Sequence, residues 1–387
     1  MRDDELQILG TEKKKQNKLI ASVFVLTAII VGIGLYWVFV VKKPQEVVIG
    51  DSTIVPELQH AVDSLLHAEL KLINGQQGQV IVMEVQTGEI LAMVGRERRY
   101  DGQFQSCDNF AYQQEPGSTM ITPALLALLE TGNIKLSDKV ETGSGLWNID
   151  GELDMLDNNW RHGGNGEITL GQALEVSSNI GVSKTIQKIF NGKELSYYEL
   201  LDRMCFGQPD SIVGIKGLKH MVFSSPKDST WASRQMLWNS IGYERLMAPI
   251  QMLTFYNAIA NNGKMVKPTL IKGKNEVINQ QIASKDNICE LQHALFNVVN
   301  QGSGKQAGLT IMSVAGKTGT AEIAPQYEDE SIKEYHLSFC GYFPAESPQY
   351  SIIVSINKFG LPASGGSMAG VVFRDIVEWM VTHKQSH

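Results

Sequence analysis

A serine stands where a Pro-Gly turn meets a helical run of apolar residues. Residues 115–126 read EPGSTMITPALL, and the leucines that follow Ser118 recur at the spacing of a helix. A hydroxyl at such a junction lies near free backbone N–H groups and the positive end of the helix dipole. This environment favours an alkoxide and can hold an oxyanion, so Ser118 is a candidate nucleophile. The same pattern also fits an ordinary serine N-cap.

Two further polar stretches are candidates to join Ser118 in one site. Ser177-Ser178-Asn179 follows a short predicted helix, and Lys317-Thr318-Gly319-Thr320 lies on a predicted strand. Each stretch alone is weak evidence, because Ser-Ser-Asn is common in loops and Lys-Thr-Gly occurs by chance in many proteins. Their order and spacing are more informative: about 60 residues separate Ser118 from the first stretch, and about 140 more lead to the second.

This arrangement resembles the penicillin-binding transpeptidase and serine β-lactamase superfamily. The turn at 115–119 and the strand at 315–321 match the first and third motifs of that family, and 173–179 resembles its middle motif. Residues 88–94 look like the second strand of the family. The likeness covers roughly residues 57–383, so it extends well beyond three short motifs.

The resemblance implies a function. In relatives, the serine attacks the D-alanyl-D-alanine end of a peptidoglycan stem peptide and forms an acyl-enzyme, which an amine or water resolves. β-Lactams mimic the peptide. Carried over to this sequence, Ser118 is the nucleophile, Ser177 relays a proton to the leaving group, and Lys317 binds the peptide carboxylate. The backbone N–H groups of Ser118 and Thr320 form the oxyanion hole. The implied substrate-binding residues are Asn179, Thr318, Gly319 and Thr320.

One position departs from the family pattern. The family has lysine three residues after the serine, one helical turn away, where its amine can take the hydroxyl proton. This chain has Ile121 there, and Thr122 in place of the usual following proline. Because isoleucine cannot accept a proton, the sequence predicts impaired acyl-enzyme chemistry.

Other residues are candidates for the missing base. Lys317 could act through Ser177, provided that its pKa lies well below the ordinary lysine value of about 10.4. Cys107 and His162 are weaker candidates, and a structural role is the main alternative for both.

The elements that position these motifs predict an α+β fold. Strands are predicted at 79–85 and 89–94 near one end of the domain, and at 313–323, 337–343 and 350–357 near the other. A mostly helical insertion separates the two groups, and helices flank them. We therefore expect an antiparallel five-stranded sheet, built from both ends of the chain and flanked by helices.

An apolar segment precedes this domain. Residues 19–41 carry no charged side chain, and this segment is long enough for a membrane-spanning helix. More lysines precede the segment than follow it closely, so residues 1–18 are predicted to be a cytoplasmic tail. The predicted organisation continues with a linker at 42–55 and a transpeptidase-like domain at 56–387. A cleaved signal peptide is the alternative, although the apolar run is long for one.

Composition excludes several classes of function. The chain is acidic, with a net charge of −7, so binding to nucleic acid is not expected. The four cysteines lack metal-ligand spacing, and neither a metal nor another cofactor is predicted. Whether these cysteines form disulfides stays open.

The expected function is that of a penicillin-binding domain in cell-wall synthesis, on a bacterial plasma membrane with the main domain outside the cytoplasm. The expected partners are stem peptides, β-lactams, the membrane and other wall-synthesis proteins. The alternative is a catalytically dead pseudoenzyme that serves as a scaffold or as a sensor of peptidoglycan or β-lactams. A β-lactamase is a third and weaker interpretation.

Overall fold

The computed structural model describes residues 52–149, 151, 153–323 and 333–384. The predicted tail at 1–18, the predicted membrane helix at 19–41 and most of the predicted linker lie outside these residues, so they stay predictions. Among the helices that are described, none combines the length and the apolar content that crossing a bilayer requires. All of the described residues belong to one unit of the chain, which begins at Ser52.

The described residues form a mixed set of helices and strands. The helices are α1 (Pro56–Leu72), α2 (Ile121–Glu130), α3 (Leu170–Glu175), α4 (Asn179–Phe190), α5 (Glu194–Arg203), α6 (Arg234–Ser240), α7 (Pro249–Ala260), α8 (Lys285–Asn300) and α9 (Ala369–Lys384). The strands are β1 (Gly75–Glu84), β2 (Ile90–Arg98), β3 (Phe104–Ser106), β4 (Lys139–Glu141), β5 (Leu146–Ile149), β6 (Leu153–Leu156), β7 (Glu167–Thr169), β8 (Val222–Phe223), β9 (Arg245–Leu246), β10 (Met265–Val266), β11 (Val277–Asn279), β12 (Ala315–Ile323), β13 (Glu334–Phe343) and β14 (Tyr350–Phe359). Short 3-10 helices lie at Gly117–Met120, Trp160–His162 and Lys305–Ala307.

The central sheet confirms the predicted antiparallel α+β architecture and corrects its strand number. In the described chain, six strands pair in the order β12-β13-β14-β1-β2-β3. Strand β14 pairs with both β13 and β1, so it joins the two ends of the domain in one sheet, as the sequence predicted. The prediction of five strands was wrong because β3 spans only three residues and pairs only with the end of β2. A segment that short carries no readable alternation of apolar and polar residues.

Both faces of this sheet are buried, and β1 shows how. Successive side chains of a strand point to opposite faces. Val80 and Val82 pack in a cluster with residues of α1 and α9, whereas Ile81 and Met83 pack in a second cluster with residues of the helical insertion. Because both faces need apolar side chains, the strand is an almost unbroken apolar run in the sequence.

The insertion between β3 and β12 carries two of the three motif stretches. Helix α2, which follows Ser118, is buried along nearly all its length, and α7 is buried throughout. Helix α4 begins at Asn179. The third stretch lies on the edge strand β12, so the sheet edge and the insertion meet where the motifs are.

Candidate active site

Ser118 lies in a 3-10 turn, Gly117–Met120, which we call the serine turn. The sequence predicted that the serine opens an α-helix; instead α2 starts at Ile121, directly after this turn. Gly117 has φ +58°, and a Cβ there would lie 3.2 Å from the backbone of Thr320. The serine turn therefore packs directly against β12. Ser118 is partly exposed, and its hydroxyl makes no hydrogen bond within the described chain.

Hydrogen bonds from α7 and α2 fix the serine turn from behind. Tyr256 Oη donates to Thr119 O at 2.9 Å, and Thr119 Oγ1 donates to Pro116 O at 2.8 Å. Thr122 Oγ1 lies 2.6 Å from Tyr256 Oη. Because the one Tyr256 proton goes to the carbonyl, Thr122 is the donor in that pair. Thr122 thus supplies a polar contact at the position where the family resemblance expects proline.

His336 on β13 forms a hydrogen bond with the chain just before the serine turn. Its Nδ1 lies 2.8 Å from Glu115 O, and its Nε2 lies 2.8 Å from Ser355 Oγ. A carbonyl can only accept, so Nδ1 carries the proton and Nε2 accepts from the serine hydroxyl. Burial lowers the pKa of His336 to about 4, so this ring is neutral at pH 7.

Ser177 and Lys317 are in direct contact. Lys317 Nζ donates to Ser177 Oγ at 2.8 Å and to Thr318 O at 3.0 Å. Both residues are buried, and Lys317 forms no ion pair with any residue that the structure describes. Burial lowers the pKa of Lys317 to about 7, because desolvation penalises the ammonium form. Lys317 therefore meets the condition that the sequence set for an alternative base.

The side chain of Lys317 lies on the same face of β12 as the serine turn. Residues two apart on a strand share a face. A Cβ on Gly319 would lie 3.0 Å from Pro116 O and 3.1 Å from Thr119 Cγ2, so that face meets the serine turn. Two residues of strand span about 6.6 Å. The lysine and the serine turn are thus neighbours on one face of one strand.

Asn179 has a hydrogen-bond acceptor without a partner. Its Nδ2 donates to Leu156 O at 2.9 Å, and its Oδ1 is buried with no hydrogen bond among the described residues. The hydroxyls of β12 are engaged: Thr318 Oγ1 lies 3.0 Å from Ser303 Oγ, and Thr320 Oγ1 accepts from Gly365 N–H at 3.0 Å. Thr320 keeps its own hydroxyl proton free to donate to a ligand.

Ile121 is fully buried and belongs to the apolar cluster of the insertion.

Cys107 and His162, the two weaker candidate bases, lie in surroundings that differ from those of Lys317. Cys107 N–H donates to Gly95 O on β2, and burial raises the pKa of the thiol. His162 is exposed at the end of a short 3-10 helix. In the part of the chain described, neither one forms a hydrogen bond with the serine turn. All four cysteines are free thiols.

Sequence reasoning did not find three residues that build this site. Tyr256 and His336 each lie inside an apolar run, and the rarity of a polar side chain there was the only available signal. Asp157 lies in a polar loop, where nothing in the sequence distinguishes it. Its carboxylate accepts a hydrogen bond from Ser178 Oγ at 2.7 Å, inside the middle motif.

Comparison with known proteins bears on the whole domain. A family model described as the penicillin binding protein transpeptidase domain matches residues 78–378. The chain is 25% identical over 379 residues to the peptidoglycan D,D-transpeptidase FtsI homolog of Mesostigma viride, with 86% of this chain and 61% of that protein covered. It is 27% identical over 364 residues to penicillin-binding protein PbpB of Mycolicibacterium smegmatis, with 85% and 54% covered.

Solved structures agree with the sequence comparison. The TP domain of penicillin-binding protein 3 from Burkholderia pseudomallei, in its apo form, superposes with a TM-score of 0.73 at 25% identity, and covers 86% of this chain and 96% of that one. The chain spans between about half and three fifths of the length of the curated relatives that it matches. The resemblance found in the motifs is thereby confirmed, and the chain belongs to the penicillin binding protein transpeptidase family.

Proposed function

We propose that this chain binds D-Ala-D-Ala stem peptides and β-lactams in cell-wall synthesis, and that acylation of Ser118 is slow. The observation that carries the proposal is the pairing of Lys317 with Ser177 on the face of β12 that the serine turn meets. Such a pair supplies charge and hydrogen bonds for a peptide end. By contrast, Ile121 supplies no base to the serine.

The free groups of the site suit a peptide with a terminal carboxylate. Asn179 Oδ1 can accept from a peptide N–H, which would satisfy an atom that is otherwise buried without a partner. The hydroxyl of Thr320 can donate to the carboxylate, and Lys317, which donates to Ser177 and Thr318, supplies positive charge beside it. The Ser118 hydroxyl then lies unpaired at the serine turn, open to the carbonyl carbon of the bound peptide.

Slow acylation can still proceed through the described residues. The oxygen of Ser118 bonds the carbonyl carbon of the ligand and gives its proton to Ser177. Ser177 at the same time gives its own proton to neutral Lys317. The tetrahedral intermediate then collapses, and the proton on Lys317 returns through Ser177 to the leaving amine. At pH 7 a lysine with a pKa of about 7 is neutral in about half of the molecules, so the route is populated.

A second function is a pseudoenzyme with the same ligand. Ile121 favours it, since the loss of one member of a catalytic unit commonly removes several powers of ten in rate. Such a protein would act as a scaffold or as a sensor of peptidoglycan or β-lactams. The two functions differ in whether a covalent adduct forms, and they share the binding step.

The cellular setting is proposed from the sequence. The apolar segment at 19–41 would anchor the chain in a bacterial plasma membrane, with the amino terminus in the cytoplasm and the domain outside. Stem peptides of the wall lie on that side. Other wall-synthesis proteins are further proposed partners, because the chain belongs to a family that includes a peptidoglycan D,D-transpeptidase.

Equilibrium binding tests the shared step. The full chain is titrated with a penicillin and, separately, with an N-acylated D-Ala-D-Ala peptide, and the Asn179→Ala variant is titrated in parallel. We expect one binding site and about tenfold weaker binding in the variant, because it loses one hydrogen bond to the ligand. Absence of binding to both ligands in the unmodified chain would refute the proposal.

A further inference from the structure

Two consecutive residues hold the middle motif from the outside. Leu156 O accepts from Asn179 Nδ2 at 2.9 Å. The next residue, Asp157, accepts from Ser178 Oγ at 2.7 Å and from the backbone N–H of Ile180 at 3.1 Å. Residues 178, 179 and 180 therefore each donate a hydrogen bond to one of two residues at the end of β6.

The carboxylate of Asp157 is itself fixed by the loop that follows β6. Asn165 Nδ2 donates to it at 3.2 Å, and Asn165 Oδ1 accepts from Asn159 Nδ2 at 2.7 Å. The backbone N–H of Asp157 donates to Gly145 O at 3.0 Å. Asp157 is almost completely buried. These contacts set the orientation of the carboxylate independently of α4, so it can serve as a reference point for the motif.

The chemistry of this position calls for a carboxylate. Its two oxygens accept from three donors, and α4 directs one of its first free N–H groups and its positive dipole end toward it. Ser178 completes the cap, because its hydroxyl also accepts from Gly181 N–H at 3.0 Å. An asparagine of the same shape would have one acceptor oxygen and would place an N–H₂ group against a donor.

The residue just before this segment is strained. Ser177 has φ +60°, a left-handed conformation that costs a serine roughly 1 kcal/mol or more and persists only where the surroundings impose it. That conformation accompanies the 2.8 Å contact of Ser177 Oγ with Lys317 Nζ. The anchoring of Ser178 and Ile180 supplies the constraint on one side of Ser177.

We propose that Asp157 is a positioning residue for the site: its carboxylate fixes the 178–180 segment so that Ser177 meets Lys317 and Asn179 faces the ligand. The ligand half of this inference rests on the proposed function, and the Ser177–Lys317 half does not.

The first test uses penicillin affinity in the full chain. Asp157→Asn is expected to weaken binding by about tenfold or more, and Ser178→Ala, which removes one of its donors, by less. The exposed Asp101→Asn changes the charge equally and is expected to leave affinity unchanged. In a double-mutant cycle, Asp157→Asn and Asn179→Ala should be non-additive, because Asp157 is proposed to act on affinity by positioning Asn179.

A second readout separates positioning from mere stabilisation. Ser284→Ala removes the N-cap of α8, far from the motif in sequence, and supplies a control that lowers the melting temperature. The side-chain nitrogen signal of Lys317, assigned with Lys317→Met, is followed by NMR in lysine-labelled protein. Asp157→Asn and Ser178→Ala should shift this signal or its titration midpoint, and Ser284→Ala should not.

The outcomes are distinct. Additive effects in the cycle, or an unchanged lysine signal in both Asp157→Asn and Ser178→Ala, would overturn the inference. If the unmodified chain binds no penicillin, the proposed function fails, and the lysine signal alone then decides whether Asp157 positions Ser177.

Discussion

Lys317 and Ser177, which are 140 residues apart in the chain, are joined by a 2.8 Å hydrogen bond, and both side chains are buried. The amine lies on the sheet edge, and the hydroxyl lies at the start of a helix in the insertion. This contact joins the central sheet to the helical insertion, near the place where the serine turn packs on β12.

Loss of the Lys317 amine should weaken ligand binding without unfolding the protein. Lys317→Met keeps the length of the side chain and removes a buried charge that has no ionic partner among the described residues, so the melting temperature should hold or rise. Penicillin affinity should fall by about tenfold or more, since the positive charge that attracts the ligand carboxylate is gone. Calorimetry and a thermal melt check both. Lys71→Met, an exposed lysine on α1, is the matched control, and an equal loss of affinity there would contradict the account.

Binding of a carboxylate ligand should depend on pH through Lys317. Its pKa lies near 7, so the ammonium form that attracts the carboxylate dominates below that value and is lost above it. Affinity for an N-acylated D-Ala-D-Ala peptide should therefore decrease as pH rises from about 6 to about 9. The dependence should flatten in Lys317→Met. A pH profile that is the same in both proteins would show that another group controls binding.

Contact between the serine turn and β12 should fail if Gly319 gains a side chain. A Cβ there would collide with Ser338 Oγ and lie 3.0 Å from Pro116 O, and the backbone carbonyl cannot move aside without moving the turn. Gly319→Ala should lower the melting temperature by about 4 °C or more and weaken penicillin binding about tenfold. Gly171→Ala is the control, because its Cβ would meet nothing closer than 3.5 Å. Normal binding by Gly319→Ala would show that this packing is dispensable.

Acid should destabilise the domain through His336. The folded ring stays neutral down to a pH of about 4, whereas an unfolded histidine takes up a proton below about 6.5. The unfolded state therefore binds more protons in that window, and the free energy of unfolding falls as pH decreases, by an amount on the order of 3 kcal/mol for this residue. Urea unfolding at several pH values measures it.

In His336→Gln the slope over this window should be shallower, and in the exposed His162→Gln it should match that of the unmodified chain. Identical slopes in all three proteins would mean that the ring is not buried neutral.

The sequence predicted the fold and the site to different depths. Long apolar strands and amphipathic helices, such as β14 and α9, carry enough periodicity to be placed to within a few residues. The three motifs were found because their residue types and order are distinctive. The three-residue strand β3 was missed, since so short a segment has no period.

Contacts between distant residues could not be predicted from the sequence. The buried state of Lys317, which lowers its pKa, depends on the packing of the insertion over β12. Asp157 and Tyr256 act through hydrogen bonds to segments far away in the chain, and neither has a local pattern that marks it. Single-residue departures, such as Ile121, are visible in the sequence only because a family pattern gives the expectation.

The rate of covalent labelling tests the central claim most directly. The unmodified full chain, Ile121→Lys and the apolar control Ile121→Met are each incubated with a penicillin, and the mass of the intact protein is followed over time. If only the base beside Ser118 is missing, Ile121→Lys should form an adduct on Ser118 at least about 100-fold faster than the unmodified chain, and Ile121→Met should show no gain. The account would be contradicted if Ile121→Lys labels no faster than the unmodified chain. An adduct on a residue other than Ser118 would also contradict it.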